Sequence, residues 1–230
     1  MMKRSGCVET WSLEDEAIGP LLQAMHLGAR RVYRKGEHLY RQGEEDRCFH
    51  LILRGHVLIS STREDGTEFT MEMMGRRAIC GEAAAFDGSC CFTSAYALDE
   101  VEAIAFRADR VAAAFREHPE LAVALLRITA RKQRIIAVRA HYLASLRPEA
   151  RIAELLHRMA EQYGLRDTGG TMVGVSLTHR QMASLTGTTR VTVTRVLKRL
   201  REHGDILFKN HRVVIPDMDR LMQAFSKRGA

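Results

Sequence analysis

Residues 178–203 contain two short amphipathic segments joined by a glycine, and this arrangement restricts the fold more than any other part of the chain. The stretch TTRVTVTRVLKRL (188–200) alternates valine and threonine in its middle, as a half-buried strand would. A helix over 189–203 instead gathers four apolar side chains on one side: Val193, Val196, Leu197 and Leu200. This apolar stripe extends over more residues than the valine-threonine alternation does. We therefore predict a helix, with Gly204 at its C-terminal end.

A shorter helix is predicted immediately upstream, in LTHRQMASL, with Thr178 as its N-cap. Ala183 lies four residues before Gly187. The small residue lets two helices cross closely and the glycine can adopt the tight turn between them, while Thr188 or Thr189 caps the second helix. The spacing and the caps together predict a helix-turn-helix.

The outward side of the second helix is basic and carries one exposed valine. Its members are Arg190, Val191, Thr194, Arg195 and Lys198. In a DNA major groove the thymine methyl is the available apolar partner for Val191, and the arginines suit guanine or phosphate. Phosphate contacts are predicted near both helix starts and in the following hairpin: Thr178, His179, Arg180, Thr189 and Lys209. The alternative is a structural helical hairpin with a solvated basic face.

From about residue 30 to 106 the chain consists of brief apolar runs separated by turn signals such as RKGE, RQGEED, LRGH and EDGT. Such runs predict consecutive short strands, and an antiparallel barrel or sandwich is their simplest arrangement. Before them, residues 14–27 have helical character that Gly19-Pro20 is expected to break.

Residues 117–146 predict one long helix, with Pro119 in its first turn. Apolar side chains recur along it at a spacing of seven: Leu121, Ile128, Ile135 and Tyr142, with Ala124, Leu125 and Val138 near the second position of the repeat. This spacing favours parallel pairing with the same helix of a second chain, although Arg131 and Lys132 interrupt the stripe. A core helix packed on its own barrel is the alternative.

Pro148 starts a fresh amphipathic helix and marks a domain boundary. After it, a short strand precedes the helix-turn-helix and two strands surround a Lys-Asn-His turn. We therefore predict a barrel domain at 1–116, to which the resemblance described below assigns effector sensing, a dimerisation helix at 117–146 and a DNA-binding domain at 147–230.

Composition narrows the class of protein. No apolar run approaches the roughly 18 residues of a membrane span, so we expect a cytoplasmic protein with no membrane partner. Five scattered cysteines do not make a secreted disulfide framework. The formal net charge of +7 is concentrated after residue 127 and indicates a polyanionic partner. No nucleophile-base pairing, phosphate loop or metal-ligand spacing is apparent, so we do not expect an enzyme.

These features resemble the cAMP-receptor and fumarate-nitrate regulator (Crp/Fnr) family of bacterial transcription factors. The resemblance covers nearly the whole chain, through YRQGEEDRCFHLILRGHV, EDGTE, GEAAAF, the long helix and LTHRQMASLTGTTRVTVTRVLKRL. It implies an α+β fold with an N-terminal cyclic-nucleotide-binding-type antiparallel β-barrel (a double-stranded β-helix or jelly roll), a dimerisation helix and a C-terminal winged helix-turn-helix. It also implies a homodimer on double-stranded DNA, with a small-molecule effector and RNA polymerase as candidate partners.

Family members usually begin the recognition helix with Arg-Glu, and the glutamate accepts from a cytosine amine in half-sites resembling TGTGA or TTGAT. The matching pair here is Arg190-Val191. Valine cannot accept a hydrogen bond, so a T·A pair becomes preferable at that position. The family's halorespiration regulators are similar in placing Val before Thr-Val. Their TTAAT-like half-sites are the nearest analogy, but Arg190 departs from them and can restore a guanine.

The effector pocket implied by the resemblance comprises Gly81, Glu82, Phe92, Thr93, Ile136 and Ala137. Members that bind cAMP neutralise its phosphate with an arginine, where this chain has Phe92 or Thr93, and meet adenine with a polar pair, where it has Ile136 and Ala137. A desolvated phosphate facing no cation is costly, so we expect a more apolar or less charged effector, or none. Glu82 either bonds an effector hydroxyl or holds backbone amides.

Other sensing chemistry stays open. Cys90 and Cys91 are candidates for oxidant or metal sensing, against the alternative of ordinary buried thiols. Cys7 stands alone where iron-sulfur members have a cysteine cluster, so no such cluster is expected. Haem is a candidate cofactor through any of four histidines: His26, His38, His50 and His56. The competing functions are a ligand-sensing regulatory subunit of an enzyme and an architectural DNA-binding protein without effector.

Overall fold

The structure is a computed structural model in which residues 15–226 are described. Its backbone divides into two compact units, with the boundary between Ile136 and Ala137. Within the described range, every helix is too short or too polar to traverse a lipid bilayer.

The described part of the first unit contains eight short strands, as the glycine-punctuated sequence predicts. They are β1 (Gly28–Tyr33), β2 (His38–Tyr40), β3 (Cys48–Arg54), β4 (Val57–Thr62), β5 (Glu68–Met74), β6 (Ile79–Cys80), β7 (Ser94–Ala97) and β8 (Val101–Arg107). They form two four-stranded antiparallel sheets with the orders β1-β8-β3-β6 and β2-β7-β4-β5. The predicted antiparallel barrel is confirmed.

Side-chain alternation along the strands separates two buried clusters. Ile52 of β3 belongs to a cluster between the two sheets, together with Tyr40 and Ile59. Its neighbours Phe49 and Leu51 point the other way, into a cluster that the helices of this unit cover. A residue's parity on β3 therefore decides whether it lines the barrel interior.

Four helices accompany these strands: α1 (Asp15–Gln23), α2 (Glu82–Asp87), α3 (Ala108–Ala114) and α4 (Pro119–Ser145). Helix α1 continues through Gly19-Pro20, so the expected break is wrong. Gly19 has no Cβ to collide with the proline ring, which relieves the usual restriction on the residue before proline. Ile18 and Leu21 are fully buried on either side, and their packing stabilises the helix.

Helix α4 is the predicted long helix, and the part of its heptad stripe from Leu121 to Ile135 is buried within the same chain. Leu121 and Ile128 join the outer cluster, and Ile135 joins the cluster between the sheets. These three residues of the stripe from which we predicted a partner helix are therefore covered by the barrel. A spacing of seven indicates a buried face without specifying what covers it. On the opposite side of α4, Val123 and Leu126 are exposed.

The second unit contains four helices and four strands among its described residues. The helices are α5 (Pro148–Tyr163), α6 (His179–Thr186), α7 (Arg190–Glu202) and α8 (Met218–Ser226), and the strands are β9 (Gly164–Asp167), β10 (Gly170–Val173), β11 (Leu207–Lys209) and β12 (Arg212–Ile215). The strands pair antiparallel in the order β11-β12-β10-β9. Strand β9 was not predicted, because Gly164 leads from α5 into it with extended backbone and no turn signal.

Helix α7 resolves the ambiguity between strand and helix at 188–200. The predicted stripe of Val193, Val196, Leu197 and Leu200 is buried. Each such side chain contributes roughly 1.5–3 kcal/mol through burial, whereas a strand would leave half of the stripe in solvent. Packing of the whole stripe therefore determines the helical conformation.

Two turn glycines of the barrel allow a matched test of this architecture. A Cβ on Gly55 (φ +84°) would lie 2.2 Å from the carbonyl oxygen of Glu100, whereas a Cβ on Gly66 (φ +79°) would meet nothing within 4 Å. We expect Gly66→Ala to cost about 1 kcal/mol from left-handed strain alone. Gly55→Ala should cost at least about 2 kcal/mol more, because the backbone must move. Urea unfolding followed by circular dichroism measures both, and equal losses would contradict the close approach.

Candidate nucleic-acid interface and effector site

The two helices of the helix-turn-helix have the predicted caps. Thr178 accepts from the amide of Gln181, whose side chain in turn accepts from the Thr178 amide, so α6 begins with a complete capping box. Gly187 is left-handed (φ +56°) in the turn, and the Thr189 hydroxyl accepts from the amide of Thr192. These contacts fix where α7 begins and which side of it faces outward.

The predicted outward row lies on one exposed face of α7. Val191 is 77% exposed, the largest exposure among the exposed large apolar side chains of the described residues. The other members are exposed beside it: Arg190, Thr194, Arg195 and Lys198. The face combines positive charge with one isolated apolar side chain, which suits a polyanion that carries apolar groups.

Thr194 is held from within the protein. Its hydroxyl donates to the carbonyl of Arg190 at 3.0 Å, so Nδ1 of His179 donates to the hydroxyl oxygen at 2.9 Å. The hydroxyl is therefore already engaged, and the methyl group is what Thr194 chiefly offers a ligand. His179, on α6, is only partly exposed, whereas Arg180 beside it is exposed.

Glu149, in the first turn of α5, lies beside the candidate interface. Its Oε1 atom lies 3.6 Å from a guanidinium nitrogen of Arg195, while Lys198 pairs with Glu202 on its own helix at 3.8 Å. Arg195, Lys198 and Glu202 are exposed and Glu149 is half-buried, so the pairs restrict side-chain orientation more than they stabilise the fold. Sequence reasoning missed Glu149, because it is distant in sequence and no motif marks it.

The hairpin after α7 contains Lys209, as expected, and places it beside β9. Asn210 and His211 both have positive φ, as a two-residue hairpin turn requires. The Lys209 ammonium group donates to the Asp167 carboxylate at 2.6 Å, and this hydrogen bond lowers the pKa of Asp167. Lys209 stays 51% exposed while paired with β9, and its contact with a phosphate remains a prediction.

In the barrel, Glu82 at the start of α2 forms an ion pair with Lys132 of α4. Both side chains are largely buried. Sequence reasoning treated Lys132 as an interruption of a helix stripe and anticipated no cation here. The structure brings a cation to this end of the barrel, but its charge is already neutralised by Glu82. Gly81 precedes the pair with φ +87°, and a Cβ there would lie 3.0 Å from the carbonyl oxygen of Cys48.

The other expected pocket residues separate into inward and outward groups. Thr93 is buried and forms a side-chain hydrogen bond with Tyr40. Phe92 is 62% exposed and Ile136 is 54% exposed, and Ala137 is exposed as well. Phe92 and Ile136 therefore do not line the barrel interior. The α4 residue that reaches the interior cluster is Ile135, one position earlier than the alignment with cAMP binders implies.

His50 of β3 is the most perturbed histidine among the described residues. Its Nε2 atom lies 3.0 Å from the Tyr33 hydroxyl, and its ring packs beside Tyr40. Burial lowers the pKa of His50 to about 4 and raises the pKa of Tyr33 to about 12. Its Nδ1 atom is buried and has no hydrogen-bond partner among the described residues.

The remaining sensing candidates are dispersed. Cys90 is exposed and Cys91 is buried, in the connection between α2 and β7 rather than on a strand. His26 is exposed, while His56 is bonded to Asp99 at 2.7 Å. No group of three or more His, Cys, Asp or Glu side chains in the described part of the chain could hold a metal ion. Cys7 lies outside the described residues.

Burial of His50 predicts a pH-dependent stability of the barrel. The folded pKa is about 4 and the ordinary value is 6.5, so the unfolded chain binds the extra proton first. The contribution is complete above pH 6.5 and disappears as the pH falls towards 4. It is on the order of 3 kcal/mol. In urea titrations the protein should lose about 3 kcal/mol of stability relative to His50→Phe as the pH falls from 6.5 to about 4, and parallel curves would contradict it.

Two family models match this chain. The model described as Cyclic nucleotide-binding domain matches residues 30–118, and the one described as Crp-like helix-turn-helix domain matches residues 150–224. The first match covers the barrel strands and the second covers the capped helix pair with its four-stranded sheet.

Relatives of similar length agree with both models. The CRP-like cAMP-activated global transcriptional regulator of Mycobacterium tuberculosis is 29% identical over 187 residues, which cover 81% of this chain and 84% of the relative. The Global nitrogen regulator of a Nostoc species is 25% identical over 93% of this chain and 98% of its own. A crystal structure of a CRP-family transcriptional regulator from Thermus thermophilus has a TM-score of 0.72 at 27% identity, covering 86% of this chain and 97% of that one. The chain belongs to the Crp/Fnr family of DNA-binding transcription regulators.

Proposed function

We propose that this protein is a homodimeric regulator that reads a pseudo-palindromic operator through α7 and responds to a small effector other than cAMP. The observation that carries the proposal is the exposed face of α7, where arginines flank an isolated valine. Two such helices related by a two-fold axis would enter successive major grooves about 34 Å apart. Because its target is chromosomal DNA, we propose that it acts in the cytoplasm.

In this proposal each member of the α7 face has a separate role. Arg190 and Arg195 bond guanine edges or phosphates, and Val191 contacts a thymine methyl. Lys198 and the start of α6, with Thr178, His179 and Arg180, hold the phosphate backbone. The engagement of the Thr194 hydroxyl supports a methyl contact there as well.

Dimerisation is proposed through the exposed side of α4. Leu121, Ile128 and Ile135 of the heptad stripe pack against the barrel, whereas Val123 and Leu126 on the other side of the helix are exposed. Exposed apolar side chains on one side of a long helix favour pairing with another copy of it. RNA polymerase remains a candidate partner for the DNA-bound dimer.

The effector is proposed to differ from that of the Mycobacterium tuberculosis relative, whose name states activation by cAMP. A cyclic phosphate needs a countercharge when it is desolvated. Lys132 is paired with Glu82, and the residues aligned with the phosphate-binding arginine are neutral.

Arg195→Ala tests the role of α7. We expect loss of sequence discrimination of about 1–3 kcal/mol in gel-shift titrations against a selected operator, because a bidentate base contact is removed. Binding to random DNA should change much less. Arg201→Ala removes the same charge from the last turn of α7, outside the predicted row, and should keep the discrimination. If both variants lose specificity equally, the assignment of Arg195 is wrong.

Val191→Glu tests the methyl contact. Glutamate can accept from a cytosine amine, so in-vitro selection should shift the preferred pair at one half-site position from T·A to G·C. Val191→Ala is the control, because it stays apolar and should retain the T·A preference with reduced strength. An unchanged preference in Val191→Glu would refute the contact.

A further inference from the structure

The described titratable groups that face the barrel interior offer no spare positive charge. Lys132 is neutralised by Glu82, and burial keeps His50 uncharged at neutral pH. Burial also raises the pKa of Cys80 to about 12, so the thiol stays protonated. Glu72, opposite Ile59 in the β4-β5 pair, is buried and accepts from the Met73 amide. An anion placed here would find the cation Lys132 already paired with Glu82.

One polar atom in this interior still lacks a partner within the described part of the chain. His50 is 2% exposed and lies on the same face of β3 as Ile52, which belongs to the cluster between the sheets. Tyr33 occupies one ring nitrogen, and Nδ1 has no partner whichever nitrogen carries the proton. A buried polar atom left unpaired is costly, so a ligand group that forms a hydrogen bond with it gains affinity.

Many side chains of the cluster between the sheets are short. The interior cluster includes seven alanines and cysteines: Ala78, Ala84, Ala95, Ala97, Ala103, Cys80 and Cys91. Cys80 is the direct cross-strand partner of His50, so their side chains stand side by side. A barrel of about eight strands is either just filled by its side chains or holds one small ligand, and short side chains favour the second case.

We propose that the barrel interior binds a small uncharged effector, with an apolar body against the alanine and cysteine wall and one hydrogen-bonding group on Nδ1 of His50. This deepens the proposed function, on which it rests for the role of the ligand, and it excludes both cyclic nucleotides and small carboxylates. Tyr33 orients the ring from outside by holding Nε2. The hydrogen-bonding group enters beside Cys80, next to the Lys132–Glu82 pair.

Shape-matched probe pairs test this choice of charge. Benzamide and benzoate, phenylacetamide and phenylacetate, and hexanamide and hexanoate differ mainly in charge, and an amide can pair with either tautomer of His50. Thermal-shift and calorimetric titrations of the full-length protein should show millimolar or tighter binding of at least one amide. Its carboxylate should bind at least about tenfold more weakly, a difference of about 1.4 kcal/mol. Cyclic AMP should bind more weakly than that amide.

Variants assign the binding to His50. His50→Phe keeps an aromatic ring of similar size but removes Nδ1, and it should abolish the preference for the amide. Tyr33→Phe keeps His50 and frees its ring, so amide binding should weaken without being lost. It also covers the case in which His50→Phe does not fold. His26→Phe changes an exposed histidine of the same unit and should leave binding unchanged.

Several results would overturn the proposal. They are the absence of amide binding at millimolar concentration, equal or tighter binding of a carboxylate or of cyclic AMP, and undiminished amide binding in folded His50→Phe. Operator selection with the same variants separates this proposal from the proposed function. If specific DNA binding persists without amide binding, only the effector assignment fails; if amides bind and no operator is selected, only the DNA-reading role fails.

Discussion

Burial of one apolar stripe on α7 is the constraint on which the candidate DNA interface depends. Val193, Val196, Leu197 and Leu200 fill the core of the second unit, and this packing fixes the rotation of the helix about its axis. Val191 and Arg195 cannot turn inward without exposing the stripe. The caps Thr178 and Thr189 and the left-handed Gly187 then fix where the helix begins. The exposed face is thus set mainly by apolar packing on the other side of the helix.

This dependence explains why the second unit was predictable in detail. Helical periodicity, N-caps and a turn glycine are local signals, and at 178–203 they all indicate the same structure. The strands of the barrel were predictable for a similar reason, because left-handed glycines such as Gly55 and Gly66 mark the hairpins. Among the predictions made from local signals, the one for α1 is wrong, because a glycine before the proline removes the clash that normally breaks a helix.

Contacts between distant segments were not predictable from one sequence. The stripe of Leu121, Ile128 and Ile135 has a clear period, but the period does not say whether a second chain or the barrel covers it. Lys132 meets Glu82 and Arg195 meets Glu149 across separations that carry no motif. His50 had no distinguishing spacing among the histidines, and only its burial and its unpaired nitrogen separate it from the others described.

The entry of Lys132 and Ile135 into the barrel from α4 has a thermodynamic consequence. A ligand bound in the barrel interior would contact side chains of that helix. Ligand binding and the position of α4 would therefore be coupled through direct contacts. Linkage is reciprocal: if a bound ligand changes the affinity of another process that moves α4, such as assembly or operator binding, that process changes the affinity for the ligand by the same factor.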